Sequence, residues 1–102
     1  MADGSIAIGT TLRDRDAKYG SFNTCAEISQ RLKEAMRRSP GWRHLDEDMR
    51  EALEMDAVKT ARILNGDPTI PDHWHDKAGY ARLVEERLVR EKAEAFDPDE
   101  VD

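Results

Sequence analysis

Cysteine is nearly absent from this chain: Cys25 stands alone among 102 residues. A single thiol closes no internal disulfide and offers no thiolate cluster to a metal. Such scarcity fits a reducing, cytoplasmic setting. No His–Asp arrangement accompanies Cys25, so it reads as a small core hydrophobe rather than a nucleophile. Aromatic residues make up 6% of the chain and apolar residues 38%, against 37% charged. That balance excludes a large core and favours an elongated helical fold. Long apolar runs are missing as well, and none approaches the roughly 20 residues that cross a bilayer. Ile6-Ala-Ile8 is bounded by glycines, which leaves no signal core near the start. The sequence therefore predicts a soluble intracellular protein without a membrane partner. Basic excess is missing too, with 16 Lys and Arg against 22 Asp and Glu and a net charge of -6. This argues against nucleic acid as a partner, because a phosphate backbone calls for a basic stripe. A small phosphate ligand is still compatible with it. Glycine-rich phosphate loops, internal repeats and strand patterns of useful length are absent.

What is present is helical punctuation. Residues 1–9 read as a flexible lead-in, 10–96 as a single helical domain and 97–102 as an acidic tail. A short helix is expected from Thr10 to Lys18, ended by Tyr19-Gly20 with a packed tyrosine ring. Thr24 and Glu27 stand in capping-box spacing. From there Ala26, Ile28, Leu32, Ala35 and Met36 keep a helical period to about Arg38, where Ser39-Pro40-Gly41 breaks it. Asp46 caps a helix that runs to about Leu64 and stops at Asn65-Gly66. A two-proline connection at 67–71 leads into a last helix from about Asp72 to Ala95. The fold class is all-α: a small bundle of three main helices plus a short N-terminal one, completed by oligomerisation because the core is small. Helix 46–64 carries two apolar stripes, one of Leu53, Ala57, Ala61 and Leu64 and one of Met55 and Val58. A helix contacted on two sides is central, and Glu51 and Glu54 lie at the seam. Trp42 and Trp74 read as anchors of the core or of an interface.

The last helix holds the most informative stretch, Asp72-His-Trp-His-Asp76-Lys-Ala-Gly79-Tyr80-Ala-Arg-Leu83. At about 100° per residue, Asp72, Asp76, Gly79 and Leu83 share one stripe. Acids thus mix with apolar groups, and a mid-helix glycine implies that a backbone or a ligand comes close. His73 and His75 lie about 200° apart, too far to chelate one ion, and read as surface residues. Facing carboxylates on bundle helices hold hard cations such as Mg²⁺. Glu51, Glu54, Asp72 and Asp76 form the candidate metal set, with Glu51 and Asp76 as the catalytic pair. The ions would polarise a phosphorus centre and generate a hydroxide, and Lys59, Arg62 or Lys77 would contact phosphate. Along the helix axes Asp76 comes nearer to the level of the Glu pair than Asp72 does, and the match within one chain is imperfect. The plainer readings stand beside this one. Asp72 serves as an N-cap, Glu51 forms a salt-bridge seam with Met55 and Arg62, and Glu54 pairs with Lys59 or faces water.

Three motifs carry a resemblance: Arg15-x-x-x-Tyr19-Gly20-x-Phe22; Glu51-Ala-Leu-x-Met55-x-x-x-Lys59-x-Ala-Arg62-Ile-Leu-Asn-Gly66; and Asp72-x-Trp74-x-Asp76-x-x-Gly79-Tyr80-Ala81-x-Leu83. Over roughly residues 12–90 the chain resembles a family of uncharacterised tailed-phage and prophage proteins. More distantly it is similar to the all-α nucleotide pyrophosphohydrolases of the MazG type. Those carry E-x-x-E on one helix and E-x-x-D on the next. Glu51 and Glu54 match the first pair and Asp76 the final aspartate, while His73 stands where the remaining acid would be. The resemblance implies a Mg²⁺-dependent nucleoside triphosphate pyrophosphohydrolase, a dimer or tetramer, working in a host cell's cytoplasm during phage infection or from a prophage. Two alternatives belong to other classes. One is a non-catalytic protein that sequesters a nucleotide or blocks a host-defence protein. The other is a structural helical oligomer with its acids in interhelical salt bridges.

Overall fold

Ser39-Pro40 and the connection around Pro68 and Pro71 divide the chain into three helices: α1 (Phe22–Arg38), α2 (Glu47–Asn65) and α3 (Pro71–Ala95). The computed structural model describes residues 20–96 and Asp99. The helix expected at 10–18, Tyr19, the lead-in and most of the acidic tail lie outside the described residues.

Helix α1 starts two residues before the expected capping box. Ser21 occupies the N-cap position with extended backbone and no side-chain cap, and the Cys25 N–H donates to its carbonyl at 3.0 Å. Thr24 therefore lies inside the first turn. Proline at 40 pushes Ser39 into extended backbone (φ -71°, ψ 141°), which ends the helix. The Ser39 hydroxyl then donates to the Ala35 carbonyl at 3.0 Å. A single 3₁₀ turn, Trp42–His44, leads to α2. Asp46 holds the predicted N-cap position of α2, with Glu47 and Asp48 in the first turn, where the helix dipole favours acids. Thr69 closes the next connection by donating both its backbone N–H (2.9 Å) and its hydroxyl (2.6 Å) to Asp67 Oδ1. Pro71 opens α3, a position where its missing N–H costs nothing. Asp72 consequently sits in the first turn of α3 rather than at its cap, which is held by Ile70.

As the two stripes predict, α2 is the middle helix, packed against α1 on one side and α3 on the other. The two junctions are built differently. Glu54 and Asn65 both reach α1, through Arg37 at 2.6 Å and the Ser21 carbonyl at 3.0 Å. Ala57 and Ala61 lie between them on the same face at helical spacing. They are the buried apolar residues among those described, at 4% and 0% exposure, and Ser29 is buried with them. Leu53 and Leu64, expected in that stripe, fall at its edges and are exposed. No large side chain among the described residues is fully enclosed. Gly20 tightens the end of this junction. Its φ is +77°, and a Cβ there would collide with the Asn65 carbonyl oxygen.

Long charged arms hold the other junction. Lys59 meets Asp76 at 2.7 Å, Lys77 meets Asp56 at 2.7 Å, and Arg87 meets Asp48 at 2.6 Å and Asp46 at 2.9 Å. These pairs fix an antiparallel register in which Arg87 is level with the first turn of α2. Residues 88–95 of α3 run on past it, about 12 Å of helix at 1.5 Å per residue. None of the described helices is long and apolar enough to cross a membrane.

Candidate functional site

The register decides which predicted residues meet. Lys59 and Asp76 face each other on α2 and α3, and the charges of Lys59, Arg62, Asp72 and Asp76 all act on His73. Two of the three predicted phosphate contacts, Lys59 and Arg62, and the second acid pair are therefore gathered around one imidazole. Sequence reasoning placed His73 on the surface, yet it is 3% exposed. Burial holds its pKa below the usual histidine range, and the neighbouring Lys59 and Arg62 charges push the same way. Neutral imidazole is the favoured form there. His75, one residue pair along, is exposed as expected.

Glu51 and Glu54 belong elsewhere. Glu54 turns to α1, where its partner is Arg37, not the Lys59 or open water expected from the sequence. Glu51 lies eight residues before Lys59, about 12 Å along α2 at 1.5 Å per residue. It is exposed and borders a shallow hollow with Asp48, Ala52, Tyr80, Leu83 and Val84. The seam proposed between Glu51 and Arg62 does not form, because Arg62 lies up at His73. Among the described residues, no group of three or more histidine, cysteine or acidic side chains is drawn together as a metal site would need.

Asp76 is a partner to Lys59 first. The hydrogen bond from the Lys59 ammonium holds its carboxyl below the ordinary aspartate range. The Lys59 side chain is 11% exposed, so this pair is shielded on the cationic side. Arg87 was missed by sequence reasoning. It grips Asp46 and Asp48 across the junction and Glu91 along its own helix at 2.8 Å, which raises its pKa, chiefly through Asp48. The same bond lowers the Asp48 pKa. Only the helix register could have identified Arg87, since its α2 partners lie 39 and 41 residues away.

Gly79 also departs from expectation. Among the described residues, a Cβ built there would meet nothing within 4 Å, so none of their backbone approaches it. It opens instead onto a second shallow hollow, with His75, Asp76, Tyr80, Leu83 and Glu86. Trp74 stays half exposed, its indole N–H donating to the Pro68 carbonyl at 2.8 Å. Trp42 and Cys25 are half-buried. Comparisons with family models, curated proteins and solved structures gave no match to this chain.

Proposed function

We propose that this protein is a non-catalytic helical binding protein that works as a homo-oligomer, with two of its four candidate acids committed to interhelical ion pairs. One observation carries the reading. The described residues bury only Ala57 and Ala61 as an apolar core, while Phe22, Leu53, Leu64, Trp74, Leu83, Val89 and Phe96 stand exposed. A chain with so little enclosed apolar area gains stability by covering that surface with another chain. Glu54 and Asp76, two of the four acids of the metal reading, already neutralise Arg37 and Lys59. Lys59, the first phosphate candidate, is occupied in the same pair.

The Mg²⁺-dependent pyrophosphohydrolase reading draws support from a different observation. Glu51 and Asp72 make no ion pair among the described residues, which leaves both carboxylates available to a cation at a junction between copies. Incubation with a panel of nucleoside triphosphates and Mg²⁺ separates the readings. The binding-protein reading expects no pyrophosphate above a protein-free control. It also expects a sedimentation mass above the 11.6 kDa of one chain. Pyrophosphate release that is lost in Glu51→Ala would overturn it in favour of the enzyme.

A further inference from the structure

Gly79 is the unexplained residue of α3. Glycine disfavours a helix interior, and nothing among the described residues comes near enough to require it. One turn on, Leu83 projects outward at 64% exposure. Asp72 and Arg90 flank the two at equal distances, seven residues beyond each. At about 100° per residue, all four lie within about 20° of one line along the helix. Asp72 and Arg90 make no ion pair among the described residues, although most other charges of α2 and α3 are paired.

This line is complementary to itself when reversed. Lay a second α3 antiparallel across it, with the two-fold axis level with residue 81. Gly79 of each copy then faces Leu83 of the other, and Asp72 of each faces Arg90 of the other. His75 falls within one residue of the level of Glu86, about 1.5 Å along the axis. The glycine gives the leucine a depression to enter, which lets the two backbones come close. Arg90 lies in the part of α3 that runs past α2, so α2 does not block its approach. A shallow crossing of about 20° keeps the charged ends, each roughly 13 Å from the axis, within reach of long side chains.

We infer that the protein forms a symmetric dimer through the Asp72–Gly79–Leu83–Arg90 line of α3, packed antiparallel on the same line of a second copy. The inference rests on the oligomer reading above and adds the surface and the geometry. An isologous contact of this kind uses each charge twice. Reversal of one charge therefore creates two like-charge pairs, and reversal of both restores two opposite pairs.

Sedimentation equilibrium of the full-length chain and its variants tests this. Asp72→Arg and Arg90→Asp are each expected to weaken dimerisation about tenfold at low salt, and the double variant to return within about twofold of the parent. Leu83→Asp is expected to give monomer while keeping helical circular dichroism. A parent chain that is monomeric at all concentrations would overturn both the dimer and the oligomer reading. This holds whether Leu83→Asp then lowers the melting temperature, as it would if the chain's own residues covered the face, or leaves it unchanged. A parent that associates but ignores all four variants would overturn this interface and leave the oligomer reading standing.

Discussion

The two sides of α2 solve the same packing problem by opposite means. Toward α1 the contact is built from small residues: Ser29, Ala57 and Ala61 are buried, with Gly20 pressed against Asn65 at one end and, among the described residues, one ion pair, Arg37–Glu54, at the other. Toward α3 the contact is polar, held by Lys59, Lys77 and Arg87 in ion pairs with four carboxylates. Small residues let helices approach to about 8 Å, and dispersion then rises with every added contact. Long charged arms specify which residue faces which. The first junction is therefore sensitive to volume and the second to charge.

Volume is the strongest lever on that contrast. Ala61→Leu adds three carbons at a site with no exposure and is expected to destabilise the chain by about 1–3 kcal/mol through overpacking. That corresponds to a fall of roughly 4–8 °C in melting temperature per kcal/mol for a chain of this size. The same measurement on Ala78→Leu, an exposed position of α3, should move little, and an equal loss at both sites would erase the distinction. Next in size is Gly79→Ala. With open space around it, this change is expected to stabilise the separated chain by about 0.5–1 kcal/mol, read by urea unfolding at the lowest workable concentration. A loss there would mean that α3 is packed at Gly79 after all.

Acid should act on the polar side alone, with the smallest effect. The folded-state pKa of His73 lies below its unfolded value of about 6.5, so folding is penalised once the unfolded chain takes up a proton that the folded chain refuses. Stability is full above that value and declines as pH falls below it. A second decline follows in stronger acid, as pH drops through the lowered pKa values of Asp48 and Asp76. His73→Phe should flatten the melting temperature between pH 7 and pH 5 without touching the lower step. An unchanged slope in that variant would remove His73 as its source.

Much of the scaffold was legible in the sequence because it depends on local signals. Ser39-Pro40, Asp46 and the prolines around residue 70 mark helix ends through backbone chemistry, and the two stripes of helix 46–64 place it between neighbours. The N-cap of α1 lies three residues before the expected one, at Ser21, because Thr24 mimics a cap it does not provide. The site was far less legible. His73 sits between two residues that read as helix-surface positions, and its burial depends on where α2 lies. Glu54 found Arg37, and Arg87 found Asp46 and Asp48, through a register that periodicity along one helix does not contain. Gly79 signalled a close approach, correctly as a helix-propensity anomaly but without any neighbour among the described residues to account for it.

The overhang of α3 beyond the first turn of α2 has its own consequence. From residue 88 onward the helix runs beyond the start of α2, and among the described ion pairs Arg87–Glu91 lies furthest along it. Isolated helices this short are marginal in water. Backbone amides there should trade their hydrogens for deuterium quickly, while those beside His73 wait for the whole chain to open.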